Sequence, residues 1–148
     1  MSLAAKFSDS FHRSFQLYRD LISTIDQSAF SSSLPGLPSN TLGQQLWCVI
    51  GARESFSRAL AEDKWVGFDC SLTAEQITSR TDLLLAAKQS EEMINCHLAR
   101  MCHFTDTQNQ MILDLLEHEC AHHGQLIRYI YALKLTIPRS WRDKYSLS

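Results

Sequence analysis

The chain has 148 residues, 45% of them hydrophobic and 20% charged, with a formal net charge of −2. That is the size and make-up of one globular domain able to bury its own core. A near-neutral balance without basic runs excludes the electrostatic footprint of a nucleic-acid binder and a polybasic membrane patch, and no apolar run approaches the roughly 20 residues of a membrane span.

Periodicity predicts four helices and no strand. The opening, MSLAAKFSDSFHRSF, lacks the apolar centre of a secretory leader, so the cytoplasm is the expected compartment. In the first helix Phe7, Phe11, Phe15, Tyr18, Ile22 and Ile25 recur every three or four positions, the spacing of a buried stripe. SAFSSSLPGLPSN ends that helix, because serines, a glycine and prolines compete with or forbid helical hydrogen bonds. A second helix is expected from Asn40 or Thr41 to about Glu62, followed by the loop KWVGFDCS.

The third helix has a capping-box start in TAEQ, where Thr73 accepts from the backbone and Gln76 reaches back. Ile77, Leu84, Ile94, Leu98 and Met101 follow at helical spacing. After a break near Phe104 a similar box, TDTQ, opens the last helix, which runs to about Leu135 and stops before Pro138. The tail RSWRDKYSLS carries Trp141 and Tyr145, which are expected to lie back on the bundle or on a partner chain.

With no internal repeat and no domain boundary, residues 1–148 read as a single all-α domain, a four-helix bundle. The short link between the third and fourth helices predicts that those two are antiparallel neighbours. The loop of roughly ten residues after the second helix reaches about 33 Å when extended. That matches a helix of about 22 residues, so a crossover connection is possible there. Cysteines 48, 70, 96, 102 and 120 form no Cys-x-x-Cys pair and read as free thiols.

The last helix raises the functional question. In LLEHECAHHGQL, His122 falls within the apolar arc of Met111, Leu115, Leu126, Tyr129 and Leu133. His118 lies at the edge of that arc, and Glu119 falls among apolar residues. His123 points about 100° away from His122 and is expected to be partly solvated. Buried polar groups cost about 1–3 kcal/mol each unless partnered. Partners for the imidazoles are a backbone carbonyl, a water or each other, and for Glu119 an arginine. Two histidines one turn apart can also converge on one ion, and imidazole is a common zinc ligand. A metal needs at least a third protein ligand. Cys48, Cys70, Cys96, His97, Cys102, His103 and His12 are all candidates, and the spacing alone does not choose among them. Glu54 and Arg53 are expected in ordinary ion pairs.

HECAHHGQLIRYIYALKL resembles the last-helix signature of the DinB/YfiT-like superfamily, in which His-x-x-x-His is followed after one residue by Gly-Gln; here these are His118, His122, Gly124 and Gln125. LPSNTLGQQLWCVIGARESF resembles that superfamily's second-helix segment, where a histidine stands three residues before the glycine of a VGAR-like stretch. Cys48 holds that place here. The resemblance implies an up-down-down-up bundle with one long crossover and a divalent metal between helices two and four. It also implies three histidine ligands, homodimers, and thiol-dependent activity such as S-transfer from a low-molecular-weight thiol to an electrophilic small molecule.

With Cys48 in the histidine's place, the implied ligand set becomes Cys48, His118 and His122. Sulfur favours zinc or another thiophilic metal, with nickel or iron also compatible. Glu119 is then the weak catalytic candidate, as a proton acceptor, and Glu119 and Gln125 are the residues expected to orient ligands from behind. The competing expectation is a bundle that binds metal without turnover, or one that is purely structural and has lost the site.

Overall fold

The computed structural model describes residues 1–148 and is all-helical, with no strand. Four long helices, α1 (Leu3–Thr24), α2 (Leu42–Glu62), α3 (Arg80–Leu98) and α4 (Asp106–Ala132), form the bundle, and a short α5 (Arg139–Tyr145) closes over it. Single 3₁₀ turns lie at Gln27–Ser31, Gln76–Thr78 and Met101–His103. No helix is long and apolar enough to cross a membrane.

The helix starts are chemically specified. Thr41 and Thr105 each accept from the amide of a glutamine three residues on, Gln44 and Gln108, whose side chain returns the bond to the cap's own N–H. Each box satisfies two amides that have no intrahelical partner. The TAEQ box also forms, with Thr73 and Gln76 reciprocally bonded, but it initiates only the 3₁₀ turn. α3 starts six residues later than its box suggested, at Arg80, capped by the Ser79 hydroxyl.

Side-chain pairings give the helix directions. His12 meets Asn95, while Arg80 reaches the carbonyls of Ile22 and Ile25, so α1 and α3 are antiparallel. Gln45 meets His122 and Leu60 meets Gln108, so α2 and α4 are antiparallel too. Arg53 contacts Ser90 and Ser57 contacts His97, so α2 and α3 run parallel. The expected close pairing of α3 with α4 does not form. α3 packs on α1 and α2, and α4 packs chiefly on α2. Thr105, hydrogen-bonded to Asp63 just past α2, starts α4 against α2 instead. The α1 stripe is core as expected: Phe11, Phe15, Tyr18, Ile22 and Ile25 are buried.

The parallel pair requires residues 63–79 to return along the length of α2, and the sequence of α2 is adapted to carry them. Ser55 donates to the Asp69 carbonyl and accepts from the Asp69 amide, at 3.0 and 2.9 Å. Glu54 accepts from both the amide and the hydroxyl of Ser71, at 2.8 and 2.6 Å. Glu54 thus holds a backbone segment, where the sequence suggested an ion pair. At Gly43 a Cβ would stand 2.4 Å from the Ile77 carbonyl oxygen and 2.9 Å from that of Phe30, and at Gly51 it would meet Phe68 and Cys70. The connection therefore lies directly on the α2 backbone at both glycines.

This contact yields a test. Alanine normally stabilises an interior helix position by about 0.5–1 kcal/mol over glycine. At Gly43 the obstacle is backbone carbonyl, so overpacking of about 1–3 kcal/mol wins. Gly43→Ala is expected to lower the unfolding midpoint in urea, whereas Gly124→Ala, with open space around it, is expected to raise it. A stabilised Gly43→Ala protein would contradict the close approach.

Candidate metal centre

His118 and His122 occupy successive turns of α4 on the side facing α2, and Cys48 comes up opposite them. His118 Nε2 lies 3.2 Å from His122 Nε2 and 3.5 Å from the Cys48 sulfur. One donor atom from each residue lies within 4.8 Å of the other two. Zinc–nitrogen bonds of about 2.0–2.1 Å and a zinc–sulfur bond of about 2.3 Å, arranged tetrahedrally, give edges of about 3.3 Å between nitrogens and about 3.6 Å between nitrogen and sulfur. The two observed edges match those values. This Cys/His₂ group could hold a metal ion.

The remaining third-ligand candidates are engaged elsewhere or lie at the surface. His97 bonds Ser57 and His12 bonds Asn95. Cys96, Cys102 and His103 are exposed. Cys70 is half-buried in the crossover segment, outside the triad. All five cysteines are free thiols.

Protonation favours open lone pairs. Burial lowers the pKa of His118, and burial together with the neighbouring His118 lowers that of His122 to about 4. Both imidazoles are therefore neutral at pH 7. Gln45, itself buried, places its carbonyl oxygen 2.7 Å from His122 Nδ1. That ring nitrogen donates, so the Nε2 lone pair is turned towards His118 and Cys48. His118 has no such brace; its Nδ1 is buried without a partner. Internal hydrogen bonding satisfies the group incompletely, since one proton between the two Nε2 atoms leaves a buried acceptor at His118 Nδ1.

Glu119 is fully buried but directed away from this group. Arg53, also fully buried, holds it through two bonds of 2.6 and 3.0 Å, and the Ser14 hydroxyl donates to it as well. The Arg53 guanidinium and these bonds keep the Glu119 carboxyl below its ordinary pKa despite the opposing effect of burial. Glu119 hydrogen-bonds neither His118 nor His122, so the role expected for it behind a ligand falls to Gln45. Gln125 is exposed and makes no bond to either histidine.

His123, expected to be partly solvated, is buried, because α5 folds back over it. Trp141 is fully buried and donates from its indole to the Leu17 carbonyl at 2.6 Å. Tyr145 then lies 2.7 Å from His123 Nδ1, and Ser14 Oγ lies 2.9 Å from His123 Nε2. Because Ser14 spends its proton on Glu119, His123 Nε2–H must donate to Ser14 and Tyr145 O–H must donate to Nδ1. One directed chain therefore runs from Tyr145 through His123 and Ser14 to Glu119, where it meets the bonds that Arg53 donates from the other side.

Sequence reasoning missed Gln45 and Ser14. Each is a polar residue inside the buried arc of its helix, the same signal that singled out His122. No protein-family model, curated protein or solved structure matches this chain.

Two outcomes follow for metal-free protein. Arg53→Met strands a buried carboxylate and is expected to cost about 3–5 kcal/mol, whereas Arg53→Met combined with Glu119→Leu recovers most of that loss; urea unfolding of both variants measures it. An additive double variant would show that the two residues do not act as a pair. The second outcome concerns pH. His122 and His123 have folded pKa values of about 4, below the unfolded value of about 6.5. The unfolded chain therefore binds more protons between these limits, so stability is full above about pH 6.5 and falls as pH drops towards 4. The lowered carboxyl of Glu119 adds a further loss below its unfolded value of about 4.3. Unfolding free energies that stayed flat from pH 7 to 4.5 would contradict neutral burial of these imidazoles.

Proposed function

We propose that this chain is a divalent-metal-binding bundle of the DinB/YfiT-like type, with Cys48, His118 and His122 holding the ion and zinc the favoured metal. The single observation that carries the reading is the convergence of three donor atoms within 4.8 Å of one another, two of whose separations, 3.2 and 3.5 Å, fit the edges of a tetrahedral zinc site with one corner left for another ligand. The family assignment is supported by the parallel α2 and α3 joined by a crossover, the connectivity that the two sequence motifs imply.

Our reading of the open corner is thiol chemistry, with a low-molecular-weight thiol and an electrophilic small molecule as partners and a homodimer as the working assembly. A divalent ion there supplies Lewis acidity, the property that activates a thiol or water at neutral pH. Gln45 orients His122 towards the ion, and the packing of α2 on α4 keeps Cys48 within reach. A cleft of about 450 Å³ has Cys48 in its wall, which gives a small molecule access. One observation favours a second reading, a metal binder without turnover. Glu119 is committed to Arg53 and Ser14, so it is not free to take a proton from a bound thiol.

Chelator-stripped protein titrated with zinc is expected to take up about one ion per chain, with a higher melting temperature on loading. Cys48→Ser and His122→Ala should abolish stoichiometric uptake, and Gln45→Leu should weaken it by about 10–100-fold. Uptake unchanged by Cys48→Ser would remove the sulfur from the site. Zinc-dependent loss of a thiol in the presence of an alkylating electrophile would support transfer, and its absence across a broad electrophile panel would favour the non-catalytic reading.

A further inference from the structure

The cleft beside the triad has a chemical character of its own. Asn40, Gln44, Trp47, Cys48, Ala74 and Ile77 enclose about 450 Å³ between the start of α2 and the 3₁₀ turn of the crossover segment. That volume falls in the range of small-molecule sites. No lining residue is an acid, a lysine or an arginine. A charged ligand entering it would lose hydration and find no counter-charge, at substantial cost.

The wall is also firm. Gly43 lets the Ile77 turn sit directly on α2. Trp47 is half-buried and braced by Phe68 at a centroid distance of 5.0 Å and an interplanar angle of 56°. Phe68 in turn lies over the bare backbone of Gly51. An indole held in this way offers a flat apolar surface for stacking. The polar groups are amides. The Gln44 carbonyl oxygen is taken by the Thr41 amide at 2.8 Å, which leaves its NH₂ available. The Asn40 backbone carbonyl accepts from Tyr129, while its side-chain amide makes no bond within the protein.

We propose that this cleft binds an uncharged, flat aromatic small molecule, stacked against Trp47 and hydrogen-bonded by the Asn40 and Gln44 amides, and that this molecule is the electrophilic partner presented to the Cys48–His118–His122 group. The second half of that statement rests on the metal-centre reading; the first half stands on the cleft alone. Cys48 belongs to both the cleft wall and the triad, so a ligand seated there is adjacent to the site without occupying it.

The test uses 2-naphthamide, 2-naphthoate and 2-naphthylmethylammonium as size-matched neutral, anionic and cationic probes of the full chain, zinc-free and zinc-titrated. The readout is the indole N–H resonance of Trp47, assigned with Trp47→Phe. In zinc-free protein the neutral probe is expected to shift that resonance saturably and to bind about tenfold or more tighter than either charged analogue. Ala74 is exposed, so Ala74→Phe fills the cleft without disturbing the core and should abolish the shift at unchanged melting temperature. Asn40→Ala should weaken binding severalfold. In zinc-free protein, equal affinity for naphthoate, a silent Trp47, or full binding by Ala74→Phe would overturn the proposal. Zinc uptake in the same samples separates the two ideas. Uptake with a silent Trp47 sinks the cleft assignment alone, and a saturable neutral-selective shift without zinc uptake upholds the cleft while sinking the metal reading.

Discussion

The buried Arg53–Glu119 pair sets the register on which the site depends. Both side chains are fully buried, one on α2 and one on α4. Sliding either helix by a turn would leave two charges uncompensated in the core, a penalty of several kcal/mol. Glu119 directly follows His118 in sequence, and Arg53 stands five residues beyond Cys48. Fixing the pair therefore fixes the height at which Cys48 meets the two imidazoles. Ser14 and Tyr18 from α1 and Ser90 from α3 also bond into this pair or its backbone. All four long helices are thus tied to the same charge.

The second constraint is the crossover. A parallel α2–α3 pair is possible only if the intervening chain travels the length of a helix, and an irregular segment must find partners for its amides and carbonyls. Ser55 and Glu54 supply those partners, and the two glycines supply the space. The same docking creates the cleft, because the 3₁₀ turn at Gln76–Thr78 forms one wall and the first turns of α2 the other. Fold and site share residues here: the groups that let the chain cross over also define what can approach Cys48.

Much of this was legible in the sequence. The aromatic stripe of α1, the start of α2 near Thr41, the box at Thr105 and the punctuation between helices depend on local chemistry and survive folding unchanged. The convergence of Cys48 with His118 and His122 was readable in two steps: the buried arc of the last helix pointed to the two histidines, and only the resemblance of two short motifs to a metal-binding superfamily pointed to Cys48. Three features were not readable, and each depends on distant chain. The Thr73 box forms, but whether a capped turn extends into a helix is decided by the docking of Ile77 against Gly43. His123 looks solvated on its own helix and is buried only because Trp141 and Tyr145 return over it. Glu119 sits beside the histidines in sequence, yet its direction is settled by a guanidinium on another helix.

A cysteine at position 48, where the resemblance implied a histidine, gives the group a different electrostatic character as well as a different donor atom. The nearby Arg53–Glu119 pair is neutral as a unit and brings no net charge to hold a cation. Both imidazoles are neutral, and burial raises the Cys48 thiol above its ordinary pKa. Without a cation the thiol therefore stays protonated at neutral pH, and the group carries no charge. A divalent ion held by these residues would change the sign of that preference, because a coordinated thiol is deprotonated outright. Uptake would then release a proton from Cys48 and leave one net positive charge, where an all-histidine set would leave two. In a pocket walled by hydrocarbon and amides, that difference lowers the cost of burying the ion, and it biases selection towards metals that bind sulfur well. A cysteine among the three donors thus suits a group that has no carboxylate to spare.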